Sequence, residues 1–471
     1  MNKIISLLFL LAFSAEVHSQ VPKEKLLIDY DFLVQELRVN HQGLYQYVEK
    51  EIVDQKIDSI RNTIEATDKV EFFKKVSALI ALTNEGHSGA EPSFWTKTKL
   101  GLSKSFIPIG MEFSDKKVIL TKYYSKHNPG LEFGDQILSI NGNTLPSIMQ
   151  NLKPYIVTDG FNETSFYEWV SWEFPLQYAL AYGKHKTFKI KIKKYDSKEI
   201  KTFTINATSL PKIKDEKNRL NTVKRPSDFE YKTIADSIGY LSIPDFYSHE
   251  DFQKFYLESF TEIKKKNIKH LIIDVQENVG GAEGNENLLV SYLIKEPFQK
   301  YEKVLAPRNL YDNFKNDKSD IEDGWSIVKD IPHRGKFTLM SDYYSNFNYK
   351  KPQQELVYTG KVYVLTSGVT FSGGAEFSSM LKMTDRALFI GEETGGTYEG
   401  NVSGYDHYVK LPNTKIKVKI PIVHYKINVK PEQPGLGVIP DYKVFQKWSD
   451  IVKGKNSKFE FALNLIRENN E

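Results

Sequence analysis

Apolar side chains recur at three- and four-residue spacing from Leu26 to about Ala90, as in Phe72, Val76, Leu79 and Ile80, which predicts a small helical region. Asp68 followed by Glu71 marks the start of one helix, since an acceptor at the cap and a carboxylate three residues on satisfy its first amides. The pattern breaks at Glu85-Gly86-His87-Ser88-Gly89, where two glycines bracket a histidine in a predicted loop. From about Ser105 to Asn206 short strands are predicted, at 118–120, 136–140, 187–192 and 201–205. From about Tyr231 strands at 239–243, 270–275, 362–365 and 387–390 alternate with helical stretches through 252–264 and after Ser372, and a last helix covers 457–469. That succession predicts an α/β layer architecture. Residues 300–355 are polar, aromatic and irregular, and read as an excursion from this core.

Composition narrows the functional classes. With 40% hydrophobic and 26% charged residues the chain is globular, not fibrous or wholly disordered. Its 64 Lys and Arg against 60 Asp and Glu leave a small positive excess spread over 471 residues, too dilute to point to nucleic acid or a membrane surface as partner. The chain has no cysteine, which excludes disulfides, thiolate metal sites and a cysteine nucleophile. Lys3, the apolar stretch 4–13 and the small residues around Ser19 read as an export signal over 1–19. The apolar run is well short of the ~20 residues a spanning helix needs, so the expectation is a periplasmic or secreted protein with no stable membrane insertion after cleavage. The remaining divisions are a helical region over 20–103, a β-rich domain over 104–206 and a core over 207–471.

Two turns offer chemistry. In the first, a buried-type strand from Val362 runs through Thr370-Phe371-Ser372-Gly373-Gly374 into an amphipathic helix, so Ser372 sits where unpaired amides and the positive helix end stabilise an oxyanion. An ordinary helix cap is the competing reading of that serine. In the second, a strand ending at Asp274 runs through Asn278 into Gly280-Gly281, presenting backbone amides at the carboxyl end of a strand, where α/β sheets place their ligands. No His-Glu-x-x-His and no tight acidic cluster is present, so neither a metal nor a cofactor is expected.

These segments, followed by Gly391-Glu392-Glu393-Thr394-Gly395-Gly396 and Gly437-Val438-Ile439-Pro440-Asp441, resemble in order the core of the C-terminal processing and tricorn-core family of serine peptidases. Ile109-Gly110-Met111-Glu112 and the run Gly130 to Gly142 are similar to the PDZ domain that such peptidases carry. The resemblance implies a crotonase/ClpP-like α/β core and a PDZ-like domain that captures a polypeptide tail. It also implies acyl transfer through Ser372, with an oxyanion hole from Gly373 and the Gly280-Gly281 turn.

The base is less direct. The processing branch places a lysine where this chain has Thr397, and Lys382 lies along the nucleophile helix, poorly placed for the role. The tricorn-like branch uses a histidine before the PDZ domain and a glutamate near the chain end, which implies His87 and Glu432, with Ser88 as a helper. His41, expected to pack with Tyr45, and His407 and His424 are the rivals of His87, and Glu392, Glu393 and Glu399 those of Glu432. The expected function is an exported serine endopeptidase acting on extended polypeptides. A catalytically silent tail-binding relative is the alternative, motivated by Thr397 and by Gln276 where the family commonly has arginine. A hydrolase of non-peptide esters or amides is a third reading.

Overall fold

The computed structural model describes residues 20–114, 117–219, 229–247, 251–282, 284–308, 328–333, 336–341, 349–350, 353–431 and 433–468. The helical region folds as α1 (Lys23–Asn40), α2 (Lys50–Asn62) and α3 (Lys69–Ala81), followed by β1 (Gly89–Glu91) and α4 (Phe94–Leu102). Asp68 caps α3, its carboxylate accepting from the amides of Val70 and Glu71 at 2.8 and 3.0 Å.

The middle segment carries β2 (Ile109–Ser114), β3 (Lys117–Tyr123), β4 (Gln136–Ile140), β5 (Asn143–Thr144), α5 (Leu145–Leu152), α6 (Thr164–Tyr182), β6 (Thr187–Lys193) and β7 (Ile200–Asn206). Its antiparallel sheet runs β2-β3-β4-β6-β7, with β5 on β4. In β6, Phe188, Ile190 and Ile192 are buried while Lys189 and Lys191 are exposed, the two-residue alternation of a half-buried strand. The long helix α6 is absent from the sequence-based expectation. Aromatic residues occupy its whole circumference, so no single apolar stripe announces it, and Pro175 follows a non-helical Glu173 that kinks it.

The rest comprises α7 (Leu210–Arg219), β8 (Glu230–Ala235), β9 (Ile238–Ser242), α8 (Phe252–Lys265), β10 (His270–Asp274), α9 (Asn285–Ser291), β11 (Phe298–Gln299), β12 (Tyr301–Pro307), β13 (Val328–His333), β14 (Lys336–Ser341), β15 (Tyr349–Lys350), β16 (Lys361–Thr366), α10 (Gly373–Met383), β17 (Ala387–Gly391), β18 (Gly400–Lys410), β19 (Lys417–Ile427), β20 (Tyr442–Lys443), α11 (Trp448–Lys453) and α12 (Ser457–Glu468). The core sheet, in the order β20-β17-β16-β10-β9-β8, is parallel except for β8. Leu271, Ile273, Val362 and Val364 face Phe260 of α8 and Phe377 of α10, whereas Ile272, Tyr363 and Leu365 face Ala462 and Ile466 of α12. Burial on both faces explains why these strands read as unbroken hydrophobic runs.

A second sheet, β1-β19-β12-β14-β13 with β18 also on β19, corrects the excursion expected over 300–355. Val304, Leu305 and Ala306 are buried in β12, and the flanking polar residues had masked so short an apolar run. The helical region has no core of its own: Leu33, Phe72 and Val76 share one cluster with Val418, Ile420 and Ile422 of β19. Buried Asp29 of α1 accepts from the amides of Asn413 and Thr414 at 2.8 and 2.7 Å, tying the first helix to the β18–β19 hairpin. Trp325, Tyr343 and Tyr344 of the 300–355 segment and the export signal expected over 1–19 lie outside the described residues. No helix among those described is long and apolar enough to cross a membrane.

Candidate active site

Strands β10 and β16 are parallel neighbours with Asp274 opposite Leu365, so the turns that follow them leave the sheet side by side. Three donors of the serine turn bind carbonyls of the glycine turn. Ser367 Oγ donates to the Gln276 carbonyl at 2.5 Å, Thr370 Oγ1 to that of Val275 at 2.8 Å, and the Phe371 amide to that of Asn278 at 2.9 Å. Ser372 follows at φ 48°, ψ −124°, a backbone conformation that typically costs ~1–3 kcal/mol outside glycine and persists only where the surroundings impose it. Its hydroxyl makes no capping bond to α10, so the side chain is not spent as an ordinary cap although it stands at the helix N-terminus.

The glycine turn is built to approach that serine. A Cβ on Gly280, which has φ +96°, would stand 2.6 Å from Ser372 Cβ and 3.0 Å from its Oγ, so only glycine fits. The Gly280 amide, however, donates to Asn278 Oδ1 at 2.8 Å, while Asn278 Nδ2 donates to the Ile243 carbonyl at 3.0 Å. The pair of donors expected from Gly280-Gly281 therefore narrows to Gly281, because the Gly280 amide is already committed. The amides of Gly281 and Gly373 have no acceptor among the described residues, and a Cβ on Gly373 would lie 3.6 Å from the Gly281 nitrogen.

His87 reaches this turn through its neighbour. Its ring stacks on Phe371, which directly precedes Ser372, with centroids 4.7 Å apart and planes at 30°. No hydrogen bond joins the imidazole to the Ser372 hydroxyl. His87 Nδ1 lies 2.9 Å from Glu85 Oε1, and Glu85 Oε2 accepts from the Val402 amide at 2.7 Å. An ionised carboxylate can only accept, so Nδ1 carries the proton in the neutral ring and the Nε2 lone pair is left for chemistry. Burial lowers the His87 pKa, with the Asp159 charge opposing, and this favours the neutral ring.

Asp159, from the segment before α6, completes the group. Its Oδ1 accepts from the Gly86 amide at 2.6 Å, and its Oδ2 would be 3.6 Å from a Cβ on Gly396, a position also close to Ala375 Cβ and the Ser372 nitrogen. Burial pushes Glu85 up to about 7, and burial together with the Glu85 charge drives Asp159 well above the usual carboxyl range. Two buried carboxyls in contact cannot both ionise, and a shared proton resolves the conflict. The ligating atoms of Glu85, His87 and Asp159 lie within 4.8 Å of one another, a set that could also hold a divalent cation; a single shared proton removes the repulsion between the two carboxyls and leaves one negative charge on the group.

The remaining candidates sit elsewhere. Glu432 lies outside the described residues. His41, expected to pack with Tyr45, instead places Nε2 3.1 Å from Ser88 Oγ while its Nδ1 accepts from the Gly43 amide at 3.1 Å; the partner observed for Ser88 is thus His41. His407 pairs with Glu36 at 2.9 Å, and buried His424 stands opposite Val402 in the β18–β19 hairpin. Lys382 forms an ion pair with Asp441 at 2.7 Å, and buried Thr397 bonds Tyr47 Oη at 3.1 Å. Glu392 pairs with Lys458, and Glu393 and Glu399 accept from the amides of Gly437 and Gly435. Gln276 donates from Nε2 to both carboxylate oxygens of Asp274, at 3.0 and 3.1 Å.

Sequence reasoning missed Glu85 and Asp159. The Glu-x-His spacing was a usable signal for the first; the second lies far along the chain and offered none. It also missed Lys300. This fully buried lysine contacts Glu286 at 2.7 Å and Glu376, which stands one turn past Ser372 and also accepts from Tyr301 Oη and Asn401 Nδ2, each at 2.9 Å. Burial would raise the Glu376 pKa, but the Lys300 charge and hydrogen bonds hold it below the usual carboxylate value.

Residues 237–444 match peptidase family S41. The carboxy-terminal processing protease CtpB of Bacillus subtilis (strain 168) is 28% identical over 216 residues, 44% of this chain but only 36% of that protein's length. The fold is similar to the crystal structure of mature CPAF, with a TM-score of 0.63, 14% identity and coverage of 93% of this chain and 96% of that one. The complex of mature CPAF with lactacystin gives 0.62, 15% identity and coverage of 94% and 97%.

Proposed function

We propose that this chain, whose residues 237–444 match peptidase family S41, is an exported serine endopeptidase of that family cutting extended polypeptides through Ser372. The observation that carries the reading is Ser372 in its strained turn, uncapped and beside two unpaired amides. In the proposed mechanism His87 Nε2 takes the Ser372 proton, directly or through one water, as Oγ attacks the scissile carbonyl. The tetrahedral oxyanion receives the amides of Gly281 and Gly373 and the positive end of α10. Protonated His87 then donates to the leaving amine, and water attacks the acyl-enzyme by the reverse proton path.

Glu85 holds the Nδ1 proton throughout, the role that the family resemblance gives to a distant glutamate. The sheet over 109–206 serves as a PDZ-like domain that captures a polypeptide tail by strand addition. Export rests on the signal-like residues 1–19. The absence of a direct bond between His87 and Ser372 favours a second reading, a silent tail-binder.

A fluorophosphonate probe and an unfolded polypeptide substrate separate the two. The peptidase reading requires labelling of the wild-type protein and hydrolysis, both lost in Ser372→Ala with an unchanged circular dichroism spectrum. Hydrolysis that survives Ser372→Ala, or a wild-type protein that neither labels nor cleaves, overturns it.

A further inference from the structure

The helix α6 carries more aromatic surface than its packing uses. Its buried side, formed by Phe166, Val170, Phe174 and Tyr178, belongs to the core of the 109–206 sheet. Trp169 and Trp172 lie off that side. Trp169 meets Phe371 edge-on, with centroids 5.8 Å apart and planes at 87°, and Trp172 meets Trp169 at 4.8 Å and 70°. Phe371 stacks in turn on His87, so four rings form a continuous ladder from the imidazole outward. Along the ladder Phe371 is 7% exposed, whereas Trp172 at the outer end is 39% exposed.

The helix is also fixed against the nucleophile side of the molecule. Asn162 Nδ2 donates to the Thr394 carbonyl at 2.5 Å, Thr164 Oγ1 to that of Glu393 at 2.8 Å, and the Gly160 amide to that of Asn84 at 2.8 Å. These bonds already anchor the segment, so the indoles are not needed as a latch. Large apolar side chains left open to water in a soluble protein mark a contact surface when they adjoin a reacting group.

We propose that Trp169 and Trp172, with Phe371 as floor, form a subsite for one large apolar side chain of the peptide, aromatic or branched aliphatic, adjacent to the bond presented to Ser372. This rests on the peptidase reading for the identity of the ligand as a peptide. Continuity with the His87–Phe371 stack fixes the occupant: a chain whose carbonyl lies at Ser372 must send a neighbouring side chain along this wall. Face and edge contacts with indoles favour a bulky apolar group over a methyl.

Binding to Ser372→Ala tests the subsite without requiring turnover. Extended hexapeptides differing at one central residue, Phe, Leu, Ala or Lys, are titrated by calorimetry and by tryptophan fluorescence. The Phe and Leu peptides should bind about tenfold or more tightly than the Ala peptide, with fluorescence changes that Trp172→Phe reduces. Trp172→Ala, at an exposed position, should abolish the difference, and Trp172→Phe should retain most of it. Equal affinities, no measurable binding of any peptide, a preference for Lys, or a Phe preference that survives Trp172→Ala each overturns the proposal. Fluorophosphonate labelling of the otherwise wild-type chain reports separately on Ser372, so a failed subsite and a failed peptidase reading give different results.

Discussion

His87 Nδ1 lies 2.9 Å from Oε1 of Glu85, two residues earlier in the same loop, while the other oxygen of that carboxylate is held by the Val402 amide at 2.7 Å. The tautomer of the imidazole is thus set within one loop and braced by a strand from the far end of the chain. A histidine oriented in this way presents Nε2, and it does so with a carboxylate whose own ionisation sits near neutrality.

Replacing Glu85 with Gln should lower kcat by about 10²-fold or more, because an amide can donate to Nδ1 and favour the wrong tautomer. The buried carboxyl is replaced by a neutral isostere, so the melting temperature should hold or rise. Steady-state kinetics with thermal unfolding checks both; a variant with wild-type kcat refutes the orienting role.

The acid limb of kcat/KM should follow Glu85 at about 7, since His87, lowered by burial, is already neutral there. In Glu85→Gln the residual activity should keep its acid limb only at the lower value of His87. The stability effect has the opposite sense: the folded Glu85 binds its proton more tightly than the unfolded one, so its contribution falls as pH rises from about 4.5 to about 7 and is flat above. A pH–rate profile that is identical in the two proteins would show that another group sets the limb.

Gly280→Ala should reduce fluorophosphonate labelling by at least 10²-fold. The new methyl would stand 2.6 Å from Ser372 Cβ at a residue with φ +96°, so the nucleophile must move. Labelling at the wild-type rate would mean that the two turns are not as closely packed as described.

Lys300→Met should destabilise the fold by about 3–5 kcal/mol, because it leaves Glu286 and Glu376 buried together without their cation. The double variant Lys300→Met/Glu376→Gln should recover part of that loss. Urea denaturation of both variants measures it, and a single variant as stable as the wild type would contradict the charge argument.

Much of the core was legible because its signals are local. Strands β10 and β16 are buried on both faces and so read as hydrophobic runs, and the glycines after them declare turns that no side chain could enter. Helix α6 was illegible for the converse reason: rings on every side erase the periodicity that marks a surface helix. Strand β12 was lost among polar neighbours, although Val304 and Leu305 are fully buried in it.

By itself, then, the amino-acid order determined the parallel strands, the two glycine turns and the serine at the head of α10, each a matter of spacing and steric permission within a few residues. Tertiary structure alone decided that Asp159 closes the group beside Glu85 and His87, that Gly281 and not Gly280 keeps a free amide, and that His41 turns to Ser88. Those outcomes depend on which distant segments share a buried, poorly solvated space, where hydrogen bonds and charges must be paired, and no local pattern encodes that company.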